Sequence, residues 1–291
     1  MEWLNAVVQG LLLGGVYAML ATGLSLVFGV MRLINLAHGD LGLLAAFMAV
    51  FVVGATSIGP FLSLIVVVPV MMGLGYILQR TMLNRTLEGG VLSSVLVTFG
   101  LAVILQNGLL TIFTADSRGL DVGSLETDSL TINDQLAVGW LPLLTLAAAV
   151  VMLVTLQAML DRTRLGRALR AASDDAEAAR MVGIDHRHLF AVAMAIALGT
   201  VGVAGVFLGI RTTFAPADGP AMLIFAYEAV IIGGLGSLWG TLFGGILLGV
   251  SQTVGGQISP AYQILAGHLV FLAFILMRPE GLFPKPTARQ S

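Results

Sequence analysis

The feature that most limits this chain is a succession of apolar runs, each long enough to cross a lipid bilayer. A hydrocarbon core of ~30 Å takes about 20 helical residues to span. Such runs occupy residues 5–30, 41–57, 61–78, 91–113, 140–160, 189–210, 222–256 and 262–277. None of them alternates apolar and polar side chains as a strand would, and within lipid only helices and closed barrels satisfy every backbone group. The expected fold is all-α, a polytopic transmembrane helix bundle of eight or nine crossings forming one domain over 1–291. With 57% hydrophobic and 10% charged residues, the chain is too apolar for a soluble core of this length, so lipid is its main solvent. The 36 glycines fit that reading, because small residues let membrane helices approach closely where no hydrophobic effect drives them together.

Basic residues orient the bundle. Short loops rich in Arg and Lys stay cytoplasmic, and twelve of the fourteen basic residues fall on one side if the turn at Arg32, the loop with Arg80 and Arg85, the loop 161–188 and the tail after Arg278 are inside. Arg118 and Arg211 are then outside. The N-terminus is accordingly expected outside and the C-terminus in the cytoplasm. No Lys or Arg precedes Arg32, so the apolar start lacks the positive region of a cleaved signal peptide and is expected to remain. The segment 114–139, with Asp116, Asp121, Glu126, Asp128 and Asp134 against Arg118, is expected to be the main external loop.

The same bookkeeping requires residues 222–256 to cross twice, breaking at Gly233, Gly234, Leu235 and Gly236. Broken helices expose backbone polar groups only where they are buried or line a cavity. A solute pathway and a plain tight hairpin both remain open for this segment.

Several chemistries are excluded. There is no cysteine, hence no disulfide, thiolate metal site or cysteine nucleophile. The only lysine is Lys285, so no Walker A loop is present and any ATP must be hydrolysed by another polypeptide. No convincing nucleophile, metal set or acid–base pair supports a membrane enzyme, and no cofactor is expected.

The most informative segment is residues 163–184, TRLGRALRAASDDAEAARMVGI. Asp174 and Glu177 have capping-box spacing, Arg180 falls in the last turn and Gly183 just beyond it. This predicts a two-turn cytoplasmic helix over 175–182 whose small residues Ala176, Ala178 and Ala179 form a docking face; a solvated connector would not need cap, stop and alanine face together. The segment is similar to the coupling loop of permeases in the branched-chain (hydrophobic) amino-acid ABC uptake family. Three further stretches agree. Residues 28–40, FGVMRLINLAHGD, resemble that family's first-loop signature, with Leu36 and Asp40 where Phe and Glu are more usual. Residues 231–240, IIGGLGSLWG, resemble its glycine-rich signature, and residues 278–283, RPEGLF, its C-terminal end, with Glu280 replacing a common Gln.

The resemblance spans the whole chain and implies a bacterial inner-membrane permease with a fold similar to ribose-type permeases. It further implies a second related permease, two ATP-binding subunits and an extracytoplasmic solute-binding protein as partners, with membrane lipid around it and no nucleic acid. The solute would be a branched-chain amino acid, another amino acid, a short amide or urea. A secondary transporter or channel working without ATP is the rival reading, but it would normally carry ionisable residues in several crossings. Here Glu228 is nearly alone within the apolar runs.

Remaining polar residues carry weaker signals. Asn35, His38 and Asp40 cluster between the first two runs; too few for a zinc site, they are expected to form a hydrogen-bonded turn. Glu228 marks a pathway or paired site, unless it sits near the outer interface. Gln106 and Asn107 are expected to bond between helices, and His268 to be a packing residue. Gly236, Gly240 and Gly244 share one helix face, with Gly245 and Gly249 beside it, and are expected to pack within the chain.

Overall fold

A computed structural model describes residues 2–86, 89–133, 136–181, 183 and 185–283. Val182, Asp134, Lys285 and the side chains of Ala176 and Glu177 lie outside that description. The helices in chain order are α1 (Glu2–Met31), α2 (His38–Thr56), α3 (Leu64–Leu78), α4 (Asn84–Thr86), α5 (Gly90–Phe113), α6 (Trp140–Arg162), α7 (Arg164–Asp174), α8 (Ala176–Met181), α9 (His186–Arg211), α10 (Gly219–Gly233), α11 (Leu238–Ile258) and α12 (Tyr262–Met277). A 3-10 turn at Pro60–Ser63 leads into α3, and a π-helical turn at Gln79–Leu83 joins α3 to α4, so Pro60–Thr86 is one long apolar rod.

Among the described residues, seven helices are long and apolar enough to cross a membrane. The α10 and α12 helices, of 15 and 16 residues, are shorter. The run 222–256 is divided into α10 and α11 at Gly234, whose φ of 100° and neighbour Gly236 at 79° require the left-handed region that glycine alone enters freely.

Packing is concentric. Helices α1 and α9 are the most enclosed, while α5, α6 and the Pro60–Thr86 rod turn most of their apolar surface outward. Large side chains such as Leu96, Phe99 and Ile112 are exposed on α5, as a lipid-facing helix requires. The closest internal seam is α1 against α11. A Cβ on Gly14 would overlap the backbone of Ile246, and one on Gly249 would overlap Gly10 and Gly14. Gly240 and Gly244 press on Gly233 and Ala229 of α10 in the same way. The glycine faces of α11 therefore serve packing inside the chain.

The segment 114–139 is not wholly irregular. It holds an antiparallel hairpin, β1 (Ser129–Asn133) and β2 (Leu136–Gly139). Arg118 pairs with Phe214 through both backbone bonds at 2.9 Å, Leu120 N–H donates to Gly209 O, and Gln9 Nε2 donates to Ala137 O at 3.0 Å. The segment thus covers the start of α1 and the end of α9.

Candidate functional site: a capped cytoplasmic-loop pair and interrupted backbone within the bundle

At one end of the bundle the segment 161–188 forms two helices. Thr163 Oγ1 accepts the Gly166 N–H at 3.0 Å and caps α7. Gly166, Leu169 and Ala172 face inward, Arg164, Arg167 and Arg170 outward. Ser173 Oγ donates to Gly29 O at 3.0 Å, seating α7 on the end of α1, and Arg170 pairs with Asp161 at 2.8 Å. Because α7 runs through Asp174, the cap of α8 is Asp175, whose Oδ1 accepts the Ala178 N–H at 2.9 Å. This corrects the assignment of that role to Asp174 by one residue. Arg180 occupies the last turn of α8, and Gly183, at φ 86°, donates to Arg180 O at 3.0 Å.

The alanine face divides. Ala179 is buried in the bundle's own core, whereas Ala178, Arg180 and Met181 are exposed, Met181 at 82%. Ala178 and Met181 lie three apart on one face, leaving a small residue beside a large apolar one on the outer surface. Just beyond, Asp185 caps α9 by accepting the N–H groups of Arg187 and His188. The His188 N–H does most to hold the Asp185 carboxyl below the usual range; burial opposes this, and the Arg187 N–H and the nearby Arg80 guanidinium add to the lowering.

The second feature lies inside the bundle. Residues 32–37 are not helical, yet Leu33, Asn35 and Ala37 are buried. His38 Nε2 donates to Leu20 O at 2.8 Å, eleven residues before the end of α1 and so about 16 Å back along it. Thr98, eight residues into α5, accepts the Leu36 N–H at 3.1 Å. The chain therefore turns at Arg32 (φ 51°) and runs back into the bundle as non-helical backbone, with a turn at Leu36 and Ala37, before α2 begins. Asn35 Oδ1 accepts the Ala37 N–H at 3.0 Å, and Tyr227 OH of α10 reaches Asn35 O at 3.5 Å. Asn35 and His38 thus spend polar atoms on backbone, as a hydrogen-bonded turn requires. Among the described residues no three His, Cys, Asp or Glu side chains come together.

Glu228 is not alone. It is buried at 4% exposure on α10, and its Oε1 meets His268 Nδ1 of α12 at 2.5 Å. Beside this pair Tyr17 OH donates to Gln252 Oε1, and the ring of Phe225 lies between Tyr17 (5.1 Å) and His268 (6.0 Å). Four helices, α1, α10, α11 and α12, so contribute to one polar cluster. Among the described residues Glu228 Oε2 and Gln252 Nε2 have no hydrogen-bond partner. Sequence reasoning took His268 for a packing residue, although it is the one side chain of the last apolar run that can change charge near neutral pH. Asn107 is also corrected: its amide donates to Val103 O of its own helix and faces outward.

Around the glycine break the chain is closed by itself. Leu282 and Phe283 donate their N–H groups to Ile232 O and Gly233 O at 2.8 and 3.0 Å, satisfying carbonyls left over where α10 ends. A Cβ on Gly234 would meet the Phe283 backbone, and one on Gly233 would overlap Gly240. Gly233, Gly234 and Gly236 are buried and Leu235 is exposed.

Interrupted backbone enclosed by seven long apolar helices, with a capped helix pair laid across one end, defines a polytopic membrane permease. Residues 6–277 match the family described as "Branched-chain amino acid transport system / permease component", and the chain belongs to that family. It is 26% identical to the high-affinity branched-chain amino acid transport system permease protein BraD of Pseudomonas aeruginosa, over 98% of this chain and 97% of that one. The LivH permease of the corresponding Escherichia coli K12 system is 26% identical over 98% and 96%. A shorter match, 32% identical over 42% of this chain and 29% of the relative, is to the E. coli K12 permease protein LivM. No solved structure matches the chain.

Proposed function

We propose that this chain is one of two related permease subunits of an ATP-driven importer for branched-chain amino acids. The observation that carries this reading is likeness along the whole length, 98% of this chain and 97% of the relative, to a permease of such a system. The partial likeness to LivM supports pairing with a second, related permease. Two ATP-binding subunits and an extracytoplasmic solute-binding protein complete the assembly, in a fold similar to ribose-type permeases.

On this reading α10 and α12 also traverse the membrane, making nine crossings, with the N-terminus outside and α7 and α8 in the cytoplasm. The face bearing Ala178, Arg180 and Met181 seats on the ATPase, and Asp175, Ala179 and Gly183 hold that face in position. The solute path follows the α10 side of the bundle. Glu228 and His268 contribute its polar flank, while the re-entrant segment with Asn35 and His38 and the break at Gly233, Gly234 and Gly236 give α2, α10 and α11 their ends within or near the membrane. A weakly binding, mostly apolar path suits a solute that must be released again.

The deciding experiment is reconstitution with the partner subunits in liposomes. Leucine, isoleucine or valine uptake that needs both ATP and the binding protein is the expected result. Uptake of urea or short amides, with no competition from these amino acids, would move the substrate. Flux through the permease alone would replace the importer reading by a channel or secondary transporter.

A further inference from the structure

The polar cluster shared by α1, α10, α11 and α12 keeps bonding capacity in reserve. Buried Glu228 commits Oε1 to His268, and its Oε2 bonds to no described residue. Buried Gln252 accepts from the Tyr17 hydroxyl through Oε1, and its Nε2 likewise bonds to no described residue. Arg211, the last residue of α9, donates from Nη1 to Leu12 O of α1 at 3.1 Å and makes no ion pair among the described residues. Tyr17 is within electrostatic reach of both the Arg211 guanidinium and the Glu228 carboxylate. We propose that these residues recognise the two charged ends of a zwitterionic amino acid. Glu228 takes the ammonium group; Arg211 and the Gln252 amide take the carboxylate.

The chemistry selects that class of solute. The uncommitted groups are a carboxylate oxygen on one side, and an amide N–H with the remaining guanidinium N–H groups on the other. A free amino acid presents the inverse set, N–H donors on a cation and acceptor oxygens on an anion. Guanidinium and carboxylate pair through parallel hydrogen bonds, which fixes orientation as well as charge. Phe225, whose ring lies 5.1 Å from Tyr17 and 6.0 Å from His268, adds apolar surface for a branched side chain. Urea and short amides carry neither charge, and a solute lacking a group that a site is built to bond leaves the partner unpaired. The assignment rests on the importer reading and names what its path recognises.

Position agrees. Gln252 lies about two turns before the end of α11 and His268 about two turns after the start of α12, so both are roughly 9 Å inside the end of the bundle where α9 closes with Arg211. On the proposed topology that is the outer end, from which solute is delivered. The hold is also divided. His268 already engages one oxygen of Glu228, so the ammonium gains a single carboxylate oxygen, and a site of moderate strength releases what it binds.

The test uses the complete importer in liposomes, supplied by its binding protein, with leucine uptake and ATP hydrolysis measured together. Arg211→Gln and Glu228→Gln should each lower uptake about tenfold, the factor for one charge-assisted hydrogen bond. ATP hydrolysis stimulated by the leucine-loaded binding protein should persist, and the detergent melting temperature should stay near that of the unmodified protein. Arg211→Lys keeps the charge and should recover part of the uptake, which a packing role would not require. If the Gln variants do not fold, competition on the unmodified importer decides. Radiolabelled leucine bound to the importer purified without its binding protein should be displaced by isoleucine, but not by isocaproate, which lacks the ammonium, or isoamylamine, which lacks the carboxylate. Unchanged uptake in both Gln variants would overturn the site and leave the importer reading standing, as would displacement by either analogue as strong as that by isoleucine. An importer that moves urea or short amides and not leucine removes the substrate reading itself, and this site with it.

Discussion

At the scale of single residues, the pair Glu228 and His268 is the most consequential arrangement in the apolar region. A carboxyl group at 4% exposure depends on its partner, because a buried acceptor left unmade incurs the full desolvation penalty of the group. His268→Ala should therefore lower stability by roughly 1–3 kcal/mol, read as a fall in the detergent melting temperature. Glu228→Gln keeps the size and an acceptor for the imidazole, and should change stability by less than about 1 kcal/mol. Replacing both by Leu should recover most of the loss, since a well-packed apolar pair of similar volume often equals a buried polar one. If uptake then fails while stability returns, the pair has a role in transport beyond holding α10 to α12; normal uptake in that double variant would make it purely structural. Substitution at Gly234 cannot separate the two roles, because any side chain there strikes the Phe283 backbone first.

At the scale of elements, the outer face of α8 is where the importer reading is most exposed to test. Ala178→Arg should abolish uptake while leaving membrane insertion intact, because an arginine overfills a close contact and buries an unpaired charge, at several kcal/mol in a tight interface. Ala178→Ser should be tolerated. ATP-dependent uptake and co-purification of the ATPase measure both, and normal transport by the arginine variant would remove α8 from the interface. Ala179 is unsuited to this purpose, being part of the permease's own core. The elements differ in how openly the sequence announces them. The long helices were legible to within a few residues, since an apolar run flanked by charge has few alternatives in lipid. Helix α7 was not, although Leu165, Leu169 and Ala172 recur at helical spacing among arginines; its charge made it read as loop. That concealment also displaced the cap of α8, because two adjacent aspartates offer the same chemistry and only the end of α7 decides between them. Residues 32–37 gave no warning of re-entry, as Leu33, Ile34, Leu36 and Ala37 are apolar whether they leave the membrane or return into it. The pairing of Glu228 with a residue 40 positions away is likewise a matter of helix arrangement that one-dimensional spacing does not contain.

For the whole molecule, the proposed orientation rests on twelve basic residues against two, and labelling can test it. With no native cysteine, Glu126→Cys and Met181→Cys each provide a single thiol, both at exposed positions. In intact cells an impermeant thiol reagent should modify position 126 and spare 181 until the membrane is permeabilised; the opposite pattern would invert the protein. The re-entrant segment bears on how such a chain is made. Helix α1 can enter lipid as soon as it is synthesised, but the backbone that follows it waits for Thr98, some 60 residues later, and for Tyr227, 192 residues after Asn35. Until α5 and α10 emerge, the Leu36 N–H lacks its Thr98 acceptor and Asn35 O its Tyr227 donor. On the proposed topology the final seating of α2 would therefore be an act of assembly, completed only once α5 and α10 have been made.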